Sequence, residues 1–261
     1  MPLIVFTDLD GSLMEHENYS IEPARGALAE LAKRKIPLIL NSSKTAAEIS
    51  SIRERLQLPC TFICENGAAL HRDNQDVIEF GSQRSIWLAD VHALRERQGY
   101  VFEGFSDWSL AEISSLTGLS TSEAVEAKDR HYSEPILWRD SEAALQRFRN
   151  DLHGMNLRLL QGGRFKSIQS LYDKSDAMHW MVANESPSKT GESPLIVALG
   201  DSPNDAAMLN SADTAVIIKS AKSSLIHCPK ASRLIHTTLP GPAGWNEAIL
   251  EILSLHDAGQ L

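Results

Sequence analysis

Apolar positions along this chain fall into two patterns. The first is the short unbroken run: Leu3–Thr7, Ile36–Asn41, Thr61–Cys64, Leu195–Leu199 and Thr214–Ile218 are each almost wholly apolar. Such runs read as strands buried on both faces. The second pattern repeats at helical spacing. Ala24, Ala27, Leu28, Leu31 and Ala32 share one face of a helix over Pro23–Lys35, and Ile49, Ile52 and Leu56 do so over Thr45–Leu56. Buried strands alternating with amphipathic helices predict a parallel sheet covered on both sides.

The pattern changes after Gly67. Ala68–His71 and Val77–Phe80 flank the polar tip RDNQD, which is the spacing of a hairpin. From about Ser82 to Leu171 the predicted order is helix, strand, two helices, strand, helix, strand, strand. The strands are Tyr100–Phe105, Glu134–Trp138, Asn156–Gln161 and Arg164–Gln169. This is the order of an α+β module with an antiparallel sheet. The parallel style then resumes, with helices before, between and after its strands. The expected fold is α/β: a doubly wound, parallel-sheet (Rossmann-like) core over residues 1–82 and 172–261, interrupted by an inserted α+β cap domain over residues 83–171.

Composition narrows the partners. The 261 residues suffice for a substantial core, and 43% are hydrophobic. The formal net charge of −9 would repel duplex DNA or an anionic membrane, so neither is an expected partner. No segment approaches the ~18 uncharged apolar residues of a membrane span. The first apolar run ends at Asp8, so no signal peptide is expected. Three cysteines, Cys60, Cys64 and Cys228, form an odd and sparse set, which points to a reducing compartment, the cytoplasm. An anionic ligand would need a local cluster of cations.

Chemistry concentrates where strands end. LIVFTDLDGSL places Asp8 and Asp10 at the carboxyl end of the first strand, the edge at which open α/β sheets bind ligands. Two such acids repel unless a cation or a shared proton separates them. Taken alone, D-L-D-G also suits a solvated turn. LGDSPNDAAML repeats the arrangement after another apolar strand, with Asp201, Asn204 and Asp205. Two all-oxygen clusters in one doubly wound domain suit a hard cation, Mg²⁺ above all. LILNSSKT ends the second strand with Ser42, Ser43 and Lys44, a place where a hydroxyl and helix-start amides could hold a phosphoryl oxygen or merely cap the next helix. Lys174, in LYDKSDAM, stands where the core resumes and could neutralise phosphate charge.

Taken together and in this order, D-L-D-G, a strand-end serine, a later lysine and G-D-x-x-N-D resemble the haloacid dehalogenase superfamily of phosphatases. The resemblance implies Asp8 as nucleophile and Asp10 as general acid and base. Ser42, or its neighbour Ser43, would contact the phosphate, and Lys174 would hold the nucleophile. Mg²⁺ would be held by Asp8, the Asp10 backbone carbonyl and Asp201, with Asn204 and Asp205 in the same motif. The stretches NSSKT, ENGA and GFSDWSLAEISSLTGLS…AKDRHYSEP look like the mannosyl-3-phosphoglycerate phosphatases. That likeness adds Lys44 and Asn66 to the expected substrate contacts. It implies a small phosphorylated sugar-glycerate substrate hydrolysed to mannosylglycerate, a compatible solute, by a monomer or homodimer. The glucosyl analogue or another sugar phosphate is the alternative. A phosphomutase, or a non-enzymatic phospho-acceptor domain, would use a related set of residues.

The cap supplies further candidates. Arg130, His131 and Glu134 lie in EAKDRHYSEP, and Gly163 with Arg164 forms a tight turn bearing a cation. Arginine forks suit a glycerate carboxylate, and Glu134 suits sugar hydroxyls. The plain alternatives are a solvated helix end for Arg130 and a hairpin tip for Arg164.

Overall fold

The computed structural model describes residues 1–16, 19–162, 164–185 and 193–261. The chain first lays down β1 (Leu3–Thr7), α1 (Arg25–Lys33), β2 (Leu38–Asn41), α2 (Ala46–Leu56) and β3 (Phe62–Cys64). A hairpin follows, β4 (Ala69–His71) and β5 (Ile78–Glu79). Then come α3 (Arg84–Gln98), β6 (Phe102–Gly104), α4 (Leu110–Thr117), α5 (Thr121–Lys128), β7 (Ser133–Trp138), α6 (Glu142–Gly154), β8 (Leu157–Gln161) and β9 (Lys166–Ser170). The chain closes with α7 (Lys174–Glu185), β10 (Leu195–Gly200), α8 (Ala206–Asn210), β11 (Thr214–Lys219), β12 (Arg233–Pro240) and α9 (Gly241–Asp257).

The strands form two sheets. The larger has eight strands in the order β12-β11-β10-β1-β2-β3-β4-β5. It is parallel from β12 to β3 and turns antiparallel at β4 and β5. All five residues of β1 are buried, and they alternate between the two layers. Leu3 and Val5 pack with residues of α1, α2 and α9, while Ile4 and Phe6 pack with Met178 of α7 and Met208 of α8. Burial on both faces is what the unbroken apolar run encodes. The smaller sheet, β6-β7-β9-β8, is antiparallel and covered by α3 and α6. Helices α2, α4 and α5 begin with Thr45, Ser109 and Ser120, each in a capping box with the glutamate three residues on. Such a cap satisfies amide donors that a helix start leaves open.

The expected element order holds throughout the smaller sheet and its helices. One strand was not expected. β12 extends the parallel sheet beyond β11 in a stretch where only helices were anticipated. Its sequence, RLIHTTLP, leaves only Thr237 buried, because it is an outer strand with one open edge. No helix among the described residues is long and apolar enough to cross a membrane.

Candidate active site

The chain order creates the site. β1 sits between β2 and β10, and the connections run away from it in opposite directions, so a crevice opens at the carboxyl ends of β1 and β10. Register pairs Thr7 with Leu199, which sets Asp8 and Asp201 side by side just beyond the two strands. The Asp8 amide donates to the Leu199 carbonyl at 2.9 Å. From behind, the indole N–H of fully buried Trp245 donates to Thr7 Oγ1 at 3.0 Å, and that hydroxyl donates to the Asp8 carbonyl at 2.8 Å. A helix at the far end of the chain thus fixes the turn that carries the first acid.

Lys174 opens α7 and is wholly buried. Its Nζ donates to Asp8 Oδ1 and Asp205 Oδ1, both at 2.7 Å. The Asn41 side chain holds the Lys174 carbonyl at 2.8 Å. Burial works against charge on this amine, but Asp205 and Asp8 outweigh it and hold it protonated. The other Asp205 oxygen accepts the amides of Asp201 and Ser202 at 3.1 and 3.0 Å. Both oxygens of Asp205 are therefore engaged. Gly200 permits this close approach: a Cβ there would lie 2.5 Å from the Asp205 Cβ.

Asp8, Asp201 and Asp205 each offer a carboxylate oxygen, and the three atoms lie within 4.8 Å of one another. Burial pushes the Asp8 carboxyl well above the ordinary carboxylate range; Lys174 opposes that, and Asp205, Asp201 and Asp10 reinforce it. One lysine is too little positive charge for this cluster. The donors are all oxygen and buried, and the second Asp8 oxygen and the Asp201 carboxylate are not taken up by Lys174. That set fits a hard divalent cation.

Asp10 takes a different partner, Lys44, whose Nζ lies 3.3 Å from Asp10 Oδ2 and 3.7 Å from Glu48. Lys44 is expected on the substrate; in the structure its ammonium pairs with Asp10, which lines the main cavity, and with Glu48. Ser42 is buried, its Oγ accepting the Lys44 amide at 3.2 Å, whereas exposed Ser43 lines the cavity. Asn66 also lines it, in a left-handed run with Glu65 and Gly67, and accepts the Asn204 amide at 3.3 Å.

The cavity, of about 580 Å³, is roofed by residues from the smaller sheet and its loops. Arg130 and Arg164 both line it. Two other candidates do not. The His131 side chain is exposed and pairs with Asp129 at 3.2 Å. Glu134 is 1% exposed, and its oxygens accept Arg84 Nη1 at 2.5 Å and the Ser106 amide and hydroxyl at 2.7 Å. Buried and bonded in this way, the carboxylate belongs to the internal framework of the roof and does not line the cavity. Gly163 lies outside the described residues.

Several lining residues were not foreseen. His16 lies 3.7 Å from Asp201 Oδ2, whose carboxylate raises its imidazole above the usual value while partial burial pulls the other way. Gly11 leaves room for this: at φ +77°, a Cβ there would stand 2.8 Å from Asp201 Oδ2. Lys219, the last residue of β11, and Ser220 and Lys222 just beyond it also line the cavity. The only sequence signal for them was their position after an apolar strand. Glu65 binds across the two sheets: it is 1% exposed and accepts the amides of His131 and Tyr132 at 2.9 and 3.2 Å and the Ser133 hydroxyl at 2.6 Å.

Comparison with known proteins places this geometry among relatives. A family model described as haloacid dehalogenase-like hydrolase matches residues 5–141. A haloacid dehalogenase-like hydrolase from B. subtilis is similar in structure, with a TM-score of 0.68 at 17% identity, over 96% of this chain and 98% of that one. A protein from Bacteroides thetaiotaomicron, described among the phosphatases of that superfamily, gives 0.68 at 16% identity over 100% and 96%. A structure described as a subclass IIB sugar phosphatase gives 0.66 at 15% identity over 99% and 100%.

Proposed function

The chain belongs to the haloacid dehalogenase-like hydrolase family, and on that premise we propose that it is a Mg²⁺-dependent phosphatase that works through an aspartyl-phosphate. One observation carries this reading: Lys174 bridges Asp8 and Asp205 at 2.7 Å each, beside Asp201 and beneath a roofed cavity. Phosphate-monoester hydrolysis is among the slowest uncatalysed reactions, so the site must supply much charge stabilisation. Lys174 opposes the upward push of burial on Asp8, which favours the ionised form, and aims its carboxylate. Asp8 attacks phosphorus, and the P–O bond to the leaving alcohol breaks. Asp10 gives its proton to that alcohol oxygen. As a carboxylate, Asp10 then takes a proton from the water that cleaves the aspartyl-phosphate. Asp8, Asp201 and the Asp10 backbone carbonyl are the oxygens that would hold Mg²⁺, whose contribution when bound is positive charge against the phosphoryl oxygens. Ser43 lines the cavity at the end of β2, where it and the turn amides would receive a phosphoryl oxygen.

The substrate we propose is mannosyl-3-phosphoglycerate or its glucosyl analogue. The likeness of the cap segment supports this, as does a cavity that carries cations for a carboxylate next to space for a sugar. The test is phosphate release over a panel of glycosyl-phosphoglycerates and hexose 6-phosphates, with and without chelator. Chelation should lower turnover by roughly tenfold or more, and added Mg²⁺ should restore it. The glycosyl-phosphoglycerates should be preferred. Equal turnover of hexose 6-phosphates would end the substrate reading and spare the phosphatase one.

Asp10→Asn removes the proton carrier and keeps the nucleophile. Turnover of alkyl phosphates should fall by about 10²- to 10⁴-fold, the usual worth of general acid–base catalysis. An activated aryl phosphate, whose leaving group needs no proton, should lose much less in the first step. Parallel kinetics on the two substrates, monitoring phenol release in a burst, check this. Equal losses would count against Asp10 as the acid.

A further inference from the structure

The cation that meets Asp10 is shared. Lys44 Nζ stands 3.3 Å from Asp10 Oδ2 and 3.7 Å from Glu48 Oε1. A charge-assisted hydrogen bond closes to about 2.7–2.9 Å, so this ammonium is held between two acids and closed on neither. The ring of Tyr19 backs it, with the centroid 5.1 Å from Nζ. Glu48 in turn is fixed. Its Oε2 accepts the Thr45 amide at 2.8 Å, and its own amide donates to Thr45 Oγ1 at 3.1 Å. Pinning one oxygen at the start of α2 sets where the other points, and Oε1 faces Lys44.

The far side of Glu48 is met from the roof. Arg130 Nη2 lies 3.8 Å from Glu48 Oε2, and Arg130 Nη1 lies 3.9 Å from Glu65 Oε2. Asp10, Lys44, Glu48, Arg130 and Glu65 therefore make a row of alternating charge that runs from the candidate acid to the inserted segment. Arg130 also donates to the Ser43 carbonyl at 3.3 Å and to Ser133 Oγ at 3.0 Å. The Thr45 hydroxyl donates to the Glu126 carbonyl at 2.8 Å and the Ser51 hydroxyl to Glu126 Oε1 at 2.6 Å, which bonds α2 to the last turn of α5. Glu48 stands outside the main cavity and lines a separate one, of about 320 Å³, between these two helices. A substrate seated over Asp8 does not reach it, so its route to the chemistry is Lys44.

We infer that Glu48 is a positioning residue: it holds the Lys44 ammonium back from Asp10, with Arg130 of the roof as its counter-charge, and so leaves the Asp10 carboxyl free to turn to the leaving oxygen. This rests on the phosphatase reading. Without the Glu48 charge, Lys44 keeps one anionic partner and closes on it, drawing the Asp10 carboxyl out of hydrogen-bond reach of the oxygen it must protonate. Glu48→Gln tests this, because glutamine keeps the shape and an oxygen for the Thr45 amide. On an alkyl phosphate its kcat should fall roughly tenfold while KM stays within about twofold. Burst release from an activated aryl phosphate, which needs no proton, should change by less than about twofold. In a Lys44→Met background there is no ammonium to hold back, so adding Glu48→Gln should cost no further turnover. A role confined to capping α2 or bonding it to α5 would cost the same in both backgrounds, and equal costs, or equal losses on both esters, would overturn the inference. The crystal structure of Glu48→Gln reads the position directly: Lys44 Nζ should move to hydrogen-bonding distance of Asp10. An ammonium that stays where it is would overturn the inference whatever the kinetics, and the same structure decides it should Lys44→Met fail to fold. If wild type releases phosphate from no ester, the hydrolase reading fails, and the movement of Lys44 still supports or sinks the positioning role.

Discussion

Asp8→Asn should lower phosphate release by roughly 10⁴-fold or more, as removal of other enzymes' nucleophiles does. Asparagine keeps the shape and leaves an acceptor for the Lys174 ammonium, so the fold should persist. It also removes one of several buried like charges. Burial and the neighbouring acids already push the Asp8 carboxyl upward, which means its ionised form is held at a cost in the metal-free protein. The variant should therefore melt no lower than wild type at neutral pH when Mg²⁺ is absent. Phosphate release and a thermal melt, run on one preparation, read both effects. Near-wild-type turnover would remove Asp8 from the chemistry. Lost turnover with a lost fold would leave the comparison to Asp8→Glu, which keeps the charge but displaces the attacking oxygen and should also be inactive.

Lys174→Met should be the most damaging single change to both activity and stability. Methionine fills similar volume but leaves Asp8 and Asp205 facing one another with no cation between them. Breaking a buried pair by removing one partner typically costs about 3–5 kcal/mol. Turnover should fall by at least about 10³-fold, because the nucleophile loses the charge that favours its ionised form and aims it. The stability loss carries a pH signature. Without Lys174 the two carboxyls have folded-state values raised further above their unfolded values. Such groups favour folding below the ordinary carboxyl range and lose that contribution as pH rises through their folded values. The deficit against wild type should thus grow as pH rises through neutral toward those folded values and shrink as pH falls toward the ordinary carboxyl range. Chemical denaturation at a series of pH values measures it, and a deficit that grows toward acid would contradict the pairing.

The parts of this protein that were legible in the sequence are those with a strong local code. Unbroken apolar runs announced β1, β10 and β11, and acids placed directly after them announced the site. β12 carried no such code, because an outer strand needs only one buried side and Thr237 does not make a run. The partners of Glu134 and Lys44 were not legible for a related reason. Residue type says what a side chain can bind but not which partner it meets. Arg84, fifty positions from Glu134, becomes its neighbour only when β7 and α3 pack. His16 and Lys222 were not legible as cavity residues because loops folding back over strand ends bring them there. Local sequence specifies elements, and the crossing of elements specifies most of the pocket.

The bond network of Glu65 bears on how such a protein can be rebuilt. Its buried carboxylate faces two backbone amides and a hydroxyl from residues 131–133 of the inserted segment. A foreign roof grafted between residues 82 and 172 would have to present the same three donors at that spot. Otherwise the graft would trap an unsatisfied charge, at a cost of several kcal/mol. The insertion is therefore modular in topology but not in chemistry. Recombination between relatives should succeed mainly where position 65 and the segment that meets it are exchanged together, or where Glu65 is first replaced by a neutral residue.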